Sequence, residues 1–191
     1  MIDLENRRFV VFGLPGSGKS ALINSILDST RSHLVYDPLN DHPNRNRYLP
    51  EDRHSITELD RFIERGVLHW KPRLFVIDEA NLYARPKPTP LPRGIASLND
   101  FSRHYSIGFG LASRRPTQFH SDITELAHYM FIFHLPGKND YRFLEDTKRG
   151  LGDIVQGLGR WEFAVLDRTD GSSVSVHSPI ANTLPEMVVS E

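Results

Sequence analysis

Eight residues near the start, Gly13-Leu14-Pro15-Gly16-Ser17-Gly18-Lys19-Ser20, fit the spacing G-x-x-x-x-G-K-[ST]. Glycines at those positions let the backbone curl until successive N–H groups point inward, and a helix beginning at the lysine adds its positive end. Such a loop cradles the phosphates of a nucleoside triphosphate, Ala21 included. Lys19 reaches the β- and γ-phosphates, and the Ser20 hydroxyl serves Mg²⁺. About 60 residues later the apolar run Leu74–Ile77 ends in Asp78 and Glu79. At the C-terminal edge of a parallel sheet, Asp78 would hold Mg²⁺ through its water shell. Glu79 beside it would orient or deprotonate a water for attack on the γ-phosphate. ATP and Mg²⁺ are therefore the expected ligands. A second carboxylate argues for hydrolysis over transfer to a substrate hydroxyl. A small nucleoside or nucleotide kinase and a non-enzymatic nucleotide switch remain open alternatives, the first because the loop and a 191-residue length suit it.

These residues need a scaffold that brings strand ends together. Apolar runs alternate with helical stretches, the α/β pattern. Strands are expected at 7–13, 33–37, 73–80, 106–113 and 129–135, with helices at 19–30, 55–66, 94–105, 121–128 and 139–148. Ser55 with Glu58 gives a capping box at the second helix, which should stop at Gly66, and a similar pattern opens the fourth. Residues 37–54 are too rich in Pro, Asn and Asp to be regular. The segments "RWEFAVLD" and "SVSVH" form a terminal hairpin around Asp170-Gly171. A single domain over 1–178 and a loosely held tail over 179–191 follow.

Composition limits the partners. Lys and Arg total 23 against 24 Asp and Glu, a net charge of −1, so nucleic-acid contact must be local. The proline-rich loop 85–93 carries Arg85, Lys87 and Arg93 with no acid and four prolines, which makes it the candidate DNA contact. "NRNRY", 44–48, is the second candidate. There is no Cys, and none of the nine His has ligand spacing, so no thiolate or zinc site is expected. The N-terminus has no signal-peptide pattern, and no apolar run approaches the roughly 20 residues of a membrane span. The expectation is a cytoplasmic or virion-associated protein with no transmembrane segment.

The segment "SRHYSIGFGLASRRPTQFHSDI", 102–123, resembles the HerA/FtsK superfamily of ring-forming DNA-pumping ATPases, as do "LVYDP", 34–38, and "WEFAVLDR", 161–168. The resemblance runs from about residue 7 to 168. It implies a P-loop NTPase of the additional-strand, catalytic-glutamate class: a RecA-like parallel sheet flanked by helices, here with a C-terminal β-hairpin. Strand 106–113 would then lie between the phosphate-loop strand and the Asp78 strand. The superfamily places Gln as the sensor where this chain has Arg114, so sensing falls to Arg114 as a cation or to Ser113 as a hydrogen-bonder. Arg103 matches the position that lies near a neighbouring subunit and is the first candidate for an arginine finger supplied in trans; Arg115 is the second. The short chain most resembles genome-packaging ATPases of tailless, membrane-containing double-stranded DNA viruses, with Zot-like phage assembly ATPases or other HerA-type translocases as the alternative. The resemblance implies a homo-oligomeric ring, hexamer or pentamer, acting on double-stranded DNA, with a capsid or membrane-vertex protein as a further partner.

Overall fold

The computed structural model describes residues 4–169 and 171–178. Eight strands form one sheet: β1 Arg8–Phe12, β2 His33–Tyr36, β3 Arg47–Tyr48, β4 Leu74–Ile77, β5 Gly108–Ser113, β6 Tyr129–Phe133, β7 Phe163–Asp167 and β8 Ser173–His177. Their spatial order is β3-β2-β4-β5-β1-β6-β7-β8. Strands β1 to β6 run parallel, and β7 and β8 add antiparallel. Strand β5 thus lies between the phosphate-loop strand and the acidic strand, as the resemblance implied. The expected hairpin is β7–β8, although Asp170 of its turn lies outside the described residues, as does the segment 179–191.

Helices cover both faces. Alternate residues of β1 divide between two cores: Val10 and Phe12 pack on one side, Phe9 and Val11 on the other. Strands β4 and β6 divide the same way, which is why their sequences read as unbroken apolar runs. Helix α1, Lys19–Asp28, buries Leu22, Ile23, Ile26 and Leu27 on the Phe9 side. The Val10 side takes α2 Ile56–Phe62, α4 Arg93–Tyr105, α5 Ser121–Leu126, α6 Lys138–Thr147 and α7 Leu151–Gln156, which contribute buried residues to that core.

Three local expectations need correction, and one helix was not foreseen. Residues 37–54 contain a strand, β3, which pairs parallel with β2. Tyr48 is held there by stacking between Tyr36 and Phe62, with ring centroids 5.5 and 4.1 Å away. The helix opened by Ser55, whose hydroxyl accepts from Glu58 N–H, does not stop at Gly66. It continues through a π-helical turn, Ile63–Val67, into α3, Leu68–Trp70, and ends at Lys71 with φ 48°. The side chain that caps α5 is His120, Nδ1 accepting from Asp122 N–H. Helix α7 was not expected from the sequence; it is six residues long, and buries only Leu151, Gly152 and Val155.

Candidate functional site

Register brings the chemistry to one edge. Phe12 pairs with Ser113, and Ile77 pairs with Leu111. Gly13, Asp78 and Arg114 therefore all emerge where these parallel strands end. The loop closes as its spacing demands. Gly16 and Gly18 have φ of 79° and 103°, a region side chains enter at a cost, and Gly18 caps α1. Gly13 N–H donates to Ser113 O across 3.2 Å, which ties the loop to β5. The Ser113 side chain is fully buried, and its hydroxyl reaches only Arg115 O at 3.4 Å.

Lys19 joins the two halves of the site. Its Nζ lies 2.7 Å from Asp78 Oδ1 and 3.3 Å from Glu79 Oε1, and all three side chains are buried. Burial alone would push the ammonium down; the charge and hydrogen bond of Asp78, then Glu79, outweigh it and hold Lys19 above its ordinary value. Burial likewise opposes an Asp78 carboxylate, but the hydrogen bond from His42 and the Lys19 charge hold it well below the usual carboxylate range. Glu79 stands in the left-handed region at φ 46°, and Arg114 Nε donates to its Oε2 across 2.9 Å. The candidate base is thus held between two cations, and half-exposed Arg114 shares a 460 Å³ cavity with Glu79, Lys19, Ser20 and Ala21.

His42 and Asp41 at the site were missed from the sequence. His42 is buried, with Nε2 3.0 Å from Asp78 Oδ2 and Nδ1 2.8 Å from Asn24 Oδ1 on α1. Asp41 lines the same cavity as Ser20; burial first, then Asp78 and Asp37, raise its pKa. Asp37 positions both: its buried carboxylate accepts from the N–H groups of Asp41 and His42. The only sequence signal was the Asp37-Pro38 pair, which marked the loop but not what it carries.

The arginines separate. Arg114 belongs to the cluster. Arg115 turns away from it, pairing at 3.5 Å with buried Asp140 on α6, so it links β5 to that helix. Arg103 is exposed on the last turn of α4. It lies where β5 begins, a six-residue strand or roughly 20 Å from the phosphate edge, and so cannot serve its own loop. In the loop before α4, Lys87 pairs with Asp122 at 2.5 Å and Arg85 is exposed; Arg93, expected in that loop, is the first residue of α4 and lies 3.7 Å from Glu64. Acids from α5 and the π-helical turn thus face two of the three expected DNA-contacting cations.

Ser20 and Asp41 line one cavity, and Asp78 meets it through Lys19; hydroxyl and carboxylate oxygens are the donors a hard cation such as Mg²⁺ takes. Among the described residues no group of three or more His, Cys, Asp and Glu is placed to hold a metal ion.

No family profile matches the chain, and no curated protein does. Solved structures do match. The genome packaging NTPase B204 from Sulfolobus turreted icosahedral virus 2, solved with AMPPCP, superposes with a TM-score of 0.79 over 92% of this chain and 98% of that one, at 19% identity. The chain has the fold of a P-loop NTPase. Two other structures with this fold are more distant. The N-terminal domain of zonular occludens toxin from Neisseria meningitidis gives 0.51 at 12% identity, over 91% and 94% of the two chains. The KaiC-like protein PH0186 from Pyrococcus horikoshii gives 0.53 at 13%, over 90% and 84%. No helix among the described residues is long and apolar enough to cross a membrane.

Proposed function

We propose that this chain is an ATP-hydrolysing motor that translocates double-stranded DNA, a viral genome-packaging ATPase working as a homo-oligomeric ring. The observation that carries the reading is the buried Lys19–Asp78–Glu79 cluster closed by Arg114. The near end-to-end likeness to a genome packaging NTPase supports the choice of cargo.

The geometry suits hydrolysis through an exchange of partners. Backbone N–H groups of the loop and the start of α1 receive the β-phosphate. Lys19 then has a phosphate to pair with and leaves the two carboxylates. Asp78 keeps the hydrogen bond to His42, so it remains ionised and placed for the cation's water shell. Ser20 and Asp78 would hold Mg²⁺, which would supply positive charge against the phosphates. Glu79, freed from Lys19, accepts a proton from the water whose oxygen bonds to the γ-phosphorus, while the bond from that phosphorus to the bridging oxygen breaks and ADP leaves. Arg114, held to Glu79 from the solvent side, can move toward the γ-phosphate and report its presence. Arg103 serves a neighbour's site from the opposite sheet edge. The stiff loop 85–92 follows Glu79 closely in the chain and carries the DNA contact. A cytoplasmic or virion-associated location and a capsid or membrane-vertex partner go with this reading.

The test is to follow labelled γ-phosphate from ATP and Mg²⁺ with and without double-stranded DNA. Free phosphate, released faster with DNA, supports the motor. Label transferred to a small acceptor would favour a nucleoside kinase instead.

A further inference from the structure

Strand β7 runs antiparallel to β6, with Phe133 opposite Phe163. The start of β7 therefore lies at the edge where β1 ends. The turn leading into it, Gly159–Glu162, arrives beside the phosphate loop although about 140 residues separate them in sequence. Two hydrogen bonds close this turn: Glu162 N–H to Gly159 O at 3.2 Å, and Gly159 N–H to Glu162 Oε2 at 2.8 Å.

At its tip sits Trp161. Its φ is 66°, a conformation a bulky residue holds only when its surroundings impose it. The indole is nevertheless 46% exposed, so burial of the ring does not account for that strain. The Arg160 guanidinium lies 4.2 Å over the ring and steadies it. Indole Cδ1 lies 3.7 Å from where a side chain on Gly18 would begin, so the ring stands beside the phosphate loop. Trp161 also lines two cavities. One is the 460 Å³ space that contains Lys19 and Ser20. The other, of 290 Å³, is walled by Leu14, Pro15, Phe133, Leu158 and Arg160 and includes Ser17, whose buried hydroxyl has no partner.

A flat, exposed aromatic ring that walls both the phosphate-loop cavity and the partly apolar recess beside it suits one part of a nucleotide: the base. We propose that Trp161 is the nucleobase platform of this site, on which the base stacks while the loop from Gly13 to Ser20 holds the phosphates. This rests on the ATPase reading and specifies it. Recognition of the base is then through its π-face, with Arg160 across the indole adding its charge to the stack. The tetrahedral phosphates are held by the loop whether or not a base is attached.

The experiment separates the two halves of the ligand. The chain has two tryptophans, and Trp70→Phe leaves Trp161 as the only one. Trp70 is 65% exposed and packs edge-on against Phe62, so phenylalanine replaces it conservatively. In that background, ADP should quench the remaining emission and tripolyphosphate should not. Trp161→Ala should weaken ADP roughly 5- to 100-fold, the range for loss of one base–aromatic stack, and leave tripolyphosphate affinity unchanged. Trp161→Phe should restore most of the ADP affinity. Unchanged ADP affinity in Trp161→Ala, or an equal loss for both ligands, overturns the platform while the phosphate site stands. Failure of the unsubstituted protein to bind either ligand overturns the ATPase reading and the platform with it.

Discussion

Replacing Lys19 by Met should be costly even when no nucleotide is present. The ammonium and Asp78 lie 2.7 Å apart with side-chain exposures of 8% and 1%. At an effective dielectric of about 20, two unit charges at that distance attract by roughly 6 kcal/mol, and desolvation takes back a large share. Removing one partner leaves the other charge buried, which typically costs about 3–5 kcal/mol. Asp78 retains His42 and the Glu79 N–H, and Glu79 retains Arg114, so the lower end applies. We expect Lys19→Met to lose about 3 kcal/mol of stability in urea denaturation at pH 7. Asp78→Asn should cost less, because Lys19 keeps Glu79. In the double variant the orphaned charge is gone, and the two costs should fall short of additivity by about 2 kcal/mol. A Lys19→Met loss under about 1 kcal/mol, or simple additivity, would refute the idea that this cluster is held by charge pairing in a low-dielectric site.

Three further outcomes follow from the placement of other residues. Arg103→Ala and Glu79→Gln subunits should each be inactive and recover ATP hydrolysis when mixed, since Arg103 lies on the sheet edge away from its own loop; no recovery in any mixture rules out a trans role. Replacing Arg85, Lys87 and Arg93 together by Ala should abolish DNA stimulation and flatten its salt dependence while basal hydrolysis persists; unchanged stimulation moves the DNA contact elsewhere. Burial pushes the Tyr83 phenol up to about 12. The fold therefore favours the neutral phenol, and its contribution to stability is full below pH 10 and is lost as pH rises toward 12. Tyr83→Phe should flatten part of that alkaline loss in thermal denaturation, and an unchanged slope would remove Tyr83 as a cause.

Much of the scaffold was legible in the sequence because both sheet faces are covered. Runs such as Phe9–Phe12 and Leu74–Ile77 must be apolar throughout, and that leaves the glycine loop and the acidic pair as visible interruptions at strand ends. What escaped depends on contacts distant in sequence. Strand β3 has only two residues and exists because Tyr48 stacks on Tyr36 and Phe62. His42 reads as one more isolated histidine until Asp37 folds its loop toward Asp78. Trp161 reads as the first residue of a strand; the antiparallel direction of β7 puts it beside Gly18. The paired arginines look equivalent in sequence. The chain separates them, Arg114 toward Glu79 and Arg115 toward Asp140, because consecutive residues leaving a strand point to opposite sides.

In the proposed function, Glu79 is what turns a phosphate-binding loop into a hydrolase. The direct measurement is release of inorganic phosphate from ATP and Mg²⁺ by the intact chain and by its Glu79→Gln variant, with ATP binding measured on both. The amide fills the same space and cannot take a proton, so binding should persist while turnover falls at least about 100-fold. Full phosphate release by Glu79→Gln, at unchanged ATP affinity, would show that Glu79 is not the base.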